Sequence, residues 1–231
     1  MRQLPLPLRV NPELGFNEFH PGSNGEVIRH LKAAAAGVGE SLIYLWGPPK
    51  VGKSHLLNAF CKRAAPVRSV ALLNLEEDAF RDPQAFEGLE ALDALCLDNL
   101  EAICGDADRE YALFVLFNRL RDQGHMLIVS ARQLPDTLGI GLDDLRSRLN
   151  WGLTLRLNPL SDETLSEALC LKAKAQGIEL APEASRYLTH RSHRSLEELL
   201  KVLDQVDAVS LEKKRRITIP LIREILEETP K

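Results

Sequence analysis

Nowhere does the sequence carry an apolar run approaching the ~20 residues that a membrane-spanning helix needs. Its N-terminus lacks the charged-then-apolar order of a secretory signal, so the chain is expected in the cytoplasm, away from membranes. Cysteine is scarce. Cys61, Cys96, Cys104 and Cys170 form no C-x-x-C pair and no metal-like cluster with the six histidines. Reduced, buried thiols are therefore expected, with Cys96 in an apolar strand and Cys61 in a helix. A basic excess is missing too: the net charge of −4 argues against a dedicated DNA-coating surface. Internal repeats and low-complexity segments are absent. What remains, 45% hydrophobic and 27% charged residues over 231 positions, describes a globular chain with a sizeable core. The length suits one large domain, or one domain with a small companion.

Residues 1 to about 22 are proline-rich and lack helical period, which predicts an extended tail and then a loop. A helix follows over 24–37, with Asn24 as its N-cap and Gly37 as its stop. Five short apolar runs read as buried strands: 41–47, 69–75, 92–99, 125–131 and 152–159. Helices are predicted over 53–65 and 108–124. Strands buried on both faces and separated by helices imply a parallel α/β sheet. After Pro159 the strands cease, and four helical stretches follow at about 162–176, 182–190, 195–209 and 218–227. A domain boundary is expected near residue 160.

Between the first strand and its helix lies Gly47-Pro48-Pro49-Lys50-Val51-Gly52-Lys53-Ser54-His55, a full G-x-x-x-x-G-K-[ST] match. Glycine lets backbone N–H groups turn inward around phosphate oxygens, and a helix N-terminus adds a favourable dipole. Lys53 would reach the β- and γ-phosphates, and Ser54 would ligate Mg²⁺. Asp98 ends the third strand, where the Mg²⁺-side acid of a P-loop ATPase belongs. The next position holds Asn99, an amide that can orient a water but cannot take its proton at neutral pH. Glu101 is the nearest spare acid, and feeble intrinsic hydrolysis is expected.

"FNEFHPGSN", the P-loop, "LCLDNLE", "LIVSAR", "LRSRLNWGL" and "SHRSLEELL" occur in the order of the AAA+ module of the bacterial replication initiator DnaA. From about Phe16 onward the chain resembles the DnaA-related AAA+ family, and within it the shortened, regulatory Hda branch. The resemblance implies a P-loop AAA+ core with a five-stranded parallel sheet flanked by helices, followed by an α-helical lid. It divides the chain into a tail (1–15), a core (16–160) and a lid (161–231).

By the same resemblance, Arg148 in "SRLNWG" falls on the arginine-finger position, with Arg146 as a nearby decoy. From the residues alone Arg148 is a surface arginine in a loop. Arg194 in "HRSLEELL" takes the family's sensor-2 place and would touch the nucleotide's phosphates. Phe19, Gly22 and Asn24 match the family's loop beside the adenine; simple core packing is the other account of Phe19. Two positions depart from the initiators: Ala131 replaces a polar sensor-1 residue, and Asn99 replaces a second acid, although Asp-Asn resembles the Hda branch. Both departures favour nucleotide binding over self-hydrolysis.

The initiator's helix-turn-helix domain has no counterpart before Lys231, so strong direct DNA binding is not expected. The run Lys213-Lys214-Arg215-Arg216 reads as a solvated helix end. In the tail, Pro5 and Pro7 bias Leu4 and Leu6 toward extended backbone, so Leu4, Leu6 and Leu8 can recur on one side. With Gln3, this segment resembles the short motif by which replication proteins dock on the sliding clamp, the β subunit of DNA polymerase III. The resemblance implies a negative regulator of replication initiation that binds the clamp through its tail and ADP (or ATP) with Mg²⁺ through its P-loop. Its Arg148 would promote hydrolysis of initiator-bound ATP in trans, and self-association through AAA+ faces is open. A DnaC-like helicase loader with its own ATPase, and a passive clamp-tethered adaptor, remain as alternatives.

Overall fold

The computed structural model describes residues 11–192, 195–213 and 215–228. Five strands form one parallel sheet: β1 Leu42–Trp46, β2 Val70–Asn74, β3 Ala94–Asp98, β4 Met126–Ala131 and β5 Leu153–Arg156, in the order β2-β3-β4-β1-β5. The core helices are α1 Gly25–Ala35, α2 Lys53–Ala64, α3 Ala107–Asp122 and α4 Asp143–Leu149. Between β2 and β3 the chain makes three 3-10 turns, Asp78–Arg81, Pro83–Phe86 and Leu89–Ala91, which the sequence pattern did not reveal.

Strand residues alternate between two buried layers, which is why the strands read as unbroken apolar runs. Tyr44, Leu95, Leu97, Leu127 and Val129 pack with Leu113 and Phe117 of α3 and Leu145 and Leu149 of α4. Ile43, Leu45, Cys96 and Ile128 pack on the other side with Leu31 of α1 and Leu56, Leu57 and Phe60 of α2. Cys61 and Cys96 meet in this second layer, with sulfurs 3.6 Å apart as free thiols. Burial pushes the Cys96 thiol well above its ordinary range, and Cys104 up to about 12, so both are packing groups rather than nucleophiles.

The chain divides into two compact units, Met1–Asn158 and Pro159–Lys231. The second contains α5 Asp162–Ala175, α6 Pro182–Ser192, α7 Leu196–Lys213 and α8 Ile219–Glu228. Ser161 caps α5 by accepting the Thr164 N–H at 3.2 Å. Leu169, Leu188, Leu199, Leu203, Leu221 and Ile222 form its core. Lys213 and Arg215, from the basic run, both fold back onto Glu224. Among the described residues no helix is long and apolar enough to cross a membrane.

Candidate functional site

In a parallel sheet the C-terminal strand ends are where connecting loops converge, and ligands bind there. Here that edge gathers Gly47 after β1, Asn74 of β2, Asp98 of β3, Ser130 to Arg132 at the end of β4, and Leu157 after β5. The Gly47 N–H donates to Ala131 O at 3.2 Å, and a Cβ at Gly47 would stand 2.4 Å from Leu157 O. Only glycine allows that approach. Gly52 has φ +103, and a Cβ there would meet the Phe19 ring at 2.7 Å. Lys50 takes φ +61, a conformation that side chains adopt at a cost.

Gly52 leads directly into α2, whose N-terminus has no side-chain cap. Its first amides and its dipole therefore face the loop's hollow, as an anion cradle requires. Lys53 is buried, and its ammonium donates to Gly47 O at 2.8 Å and Pro48 O at 2.9 Å. Burial lowers its pKa, while the carboxylates of Glu101 and then Asp98 work to restore the cation. Ser54, the next residue, is exposed. The P-loop set thus fits a polyphosphate: a helix N-terminus without a side-chain cap, a cation with no anion at hydrogen-bond distance among the described residues, and glycines where a side chain would block the cradle.

Asp98 is 5% exposed, and one of its oxygens accepts the Ser130 hydroxyl. Ser130 Oγ in turn accepts the Asn99 N–H at 3.2 Å. Asn99 sits in the left-handed region, and its amide donates sideways to Asn74 Oδ1 at 2.9 Å. The amide that could orient a water is bonded to β2 instead. Glu101 lies on the 3-10 turn Leu100–Ala102 and accepts the Arg132 N–H at 3.2 Å, with Arg132 Nε 2.7 Å from its other oxygen.

Arg148 corrects the loop reading: it lies in the last turn of α4, a seven-residue helix. Its guanidinium lies 3.9 Å from the centroid of Trp151, which is 58% exposed. Arg121 approaches the same ring at 5.8 Å. Among the described residues Arg148 makes no ion pair. Arg146, two residues away, is tied to Asp143 at 2.5 Å and weakly to Ile140 O at 3.4 Å.

A family model described as the bacterial DnaA ATPase domain matches residues 10–156. The chain belongs to the DnaA-related AAA+ family. A second model, described as the lid domain of Hda, matches residues 162–226. Domain III of the replication initiation protein DnaA from Thermotoga maritima superposes with a TM-score of 0.82 at 20% identity, covering 95% of this chain and 98% of that one. AMPPCP-bound DnaA from Aquifex aeolicus gives 0.74 at 21% identity, over 86% of this chain and 66% of that one. The Holliday junction branch migration motor RuvB of Thermotoga maritima gives 0.74 at 19% identity, over 94% and 72%. At these identities the likeness is one of fold: a parallel AAA+ sheet followed by a helical lid.

Of the other residues singled out in this DnaA-related chain, Asn24 stands at the N-cap position of α1, but its side chain makes no cap bond. Its backbone is not extended, and its buried side chain instead bonds both ways to Asn158, donating to O at 2.9 Å and accepting from N at 2.8 Å. That pair staples the segment before α1 to the end of β5. Phe19 packs on the core beside Gly52 and meets His55 edge-on, with centroids 5.3 Å apart. His55 Nε2 contacts Gly15 O at 2.8 Å, so its ring is used to hold this segment. Gly22 takes a positive φ in the turn ahead of α1. Ala131 is fully buried, and the polar group at that strand end is Ser130, one residue earlier. Arg194 and the tail motif Gln3 to Leu8 lie outside the described residues. Sequence reasoning missed Asn74, Ser130, Arg132 and Asn158; a serine closing the apolar run "MLIV" was the one local signal.

Proposed function

We propose that this chain is a cytoplasmic regulator of replication initiation that binds an adenine nucleotide with Mg²⁺ and acts on the initiator DnaA. The carrying observation is the union, on one chain, of a DnaA-type ATPase core (10–156) with a lid of the Hda type (162–226). Structurally similar DnaA proteins have been solved bound to AMPPCP. In this chain the backbone from Gly47 to His55 would wrap the phosphates, Lys53 would neutralise them, and Ser54 with Asp98 would hold Mg²⁺. Phe19, Gly22 and Asn24 would border the base, and Arg194 would read the phosphates from its sensor-2 place. When bound, the nucleotide supplies charge that the cradle lacks, and ADP is the resident form we assign.

Arg148 is the arginine finger in this reading. A guanidinium stacked on a ring keeps its in-plane N–H donors available, so it can address a partner's phosphate. The finger would promote hydrolysis of ATP held by DnaA, while Gln3, Leu4, Pro5, Leu6, Pro7 and Leu8 tether the chain to the sliding clamp. The committed Asn99 and Ser130 side chains support weak hydrolysis of the chain's own nucleotide.

Conversion of DnaA-bound ATP to ADP on clamp-loaded DNA tests the proposal. Wild-type protein should accelerate it, and deletion of residues 3–8 should abolish the acceleration. Rapid ATP turnover without DnaA would favour a helicase loader, and no acceleration at all a passive adaptor.

A further inference from the structure

One peptide unit connects the P-loop to Glu101. Its oxygen, Ala131 O, accepts the Gly47 N–H at 3.2 Å, and its N–H, on Arg132, donates to Glu101 Oε2 at 3.2 Å. In a trans peptide these atoms point in opposite directions, so the Glu101 carboxylate is fixed one peptide width from the loop's first residue. The other oxygen, Oε1, is buried without a hydrogen bond of good geometry among the described residues, although Arg132 Nε lies 2.7 Å away.

Arg132 does not cancel this acid. Its guanidinium also faces Glu76 at 3.6 Å, so two carboxylates share one cation. The Glu101 side chain is 17% exposed against 52% for Arg132, which leaves the carboxylate the less screened partner. Gly47, held by the 131–132 peptide through its N–H, accepts the Lys53 ammonium on its own oxygen at 2.8 Å, so the acid and the P-loop cation are linked through one residue.

We propose that Glu101, fixed by Arg132 and the 131–132 peptide, is a specificity-determining residue that makes the P-loop site favour a nucleoside diphosphate over a triphosphate. The inference rests on the nucleotide-binding reading above. Among the described residues Lys53 donates to the oxygens of Gly47 and Pro48 and makes no ion pair, so a diphosphate can take its charge. A third phosphoryl group adds negative charge on the side of the strand ends, where Glu101 and Asp98 stand in a partly buried setting. Like charges there oppose each other, and Arg132 is already shared between two acids.

The test is equilibrium titration of the full chain with Mg-ADP and Mg-AMPPCP, for wild type, Glu101→Gln and Arg132→Gln. Melting of each nucleotide-free protein serves as the folding check. Wild type should bind ADP more tightly than AMPPCP. Glu101→Gln should tighten AMPPCP about tenfold relative to ADP. Arg132→Gln, which leaves the acid less compensated, should weaken AMPPCP further and so provides a second reading if Glu101→Gln folds poorly. An unchanged affinity ratio in a normally melting Glu101→Gln protein overturns the inference. A wild type that binds neither nucleotide overturns the nucleotide-binding reading beneath it, a distinct result.

Discussion

Two polar regions of the core unit are built on opposite plans. At the strand ends beside the P-loop, Asp98, Asn99, Ser130, Asn74, Glu101 and Arg132 are each joined to at least one other member of the group. At the C-terminus of α4, Arg148 rests on a half-exposed indole and makes no ion pair among the described residues. Polar side chains joined as at the strand ends are held in place, and they position a ligand well. Such a network has little freedom to rearrange around an attacking water. A guanidinium held only by its face keeps its edge for another molecule. The contrast teaches that the proposed nucleotide site and the proposed arginine finger occupy separate places.

The largest effect expected on the first plan comes from Lys53→Ala. Losing charge-assisted hydrogen bonds of about 1.5–3 kcal/mol should weaken nucleotide binding roughly 10- to 150-fold, read in a fluorescent-nucleotide titration. Unchanged affinity would remove the P-loop from the account. Next comes Asn24→Ala, which strips both bonds from the Asn158 backbone. The core unit should lose about 1–3 kcal/mol, and exchange of the Asn158 amide proton should accelerate. Persistent protection of that amide would mean the staple is not needed. The smallest effect should follow Trp151→Ala. Loss of an exposed cation–π contact of ~0.5–1 kcal/mol should slow conversion of DnaA-bound ATP roughly two- to fivefold. Nucleotide affinity of the chain itself should stay put, and a change there would blur the separation of the two regions.

The five strands were legible because each is buried on both faces and rich in β-formers, so composition alone marks them. The P-loop was legible because its chemistry is local: a motif, a strand before it and a helix after it. Helix α4 was not. Seven residues with Asp143, Asp144, Arg146 and Arg148 among them are too short and too charged for a helical period, so Arg148 read as a loop residue. The acid network was invisible for another reason. Ser130 meets Asp98, and Arg132 meets Glu101, only because β3 and β4 are neighbours in the sheet, and strand order is not encoded in periodicity. Asn24 shows the same limit in reverse. A correct helix start drew it toward capping, yet its partner lies at the far end of the core unit, at Asn158.

The most direct measurement takes one preparation of Arg148→Ala and reads it twice: for its own ADP affinity, and for conversion of DnaA-bound ATP on clamp-loaded DNA. The account predicts an ADP affinity within about twofold of wild type and a loss of conversion on the order of 10³-fold, the scale of an arginine finger. Conversion that persists in Arg148→Ala, or ADP affinity that collapses with it, would contradict the assignment of binding and action to separate regions.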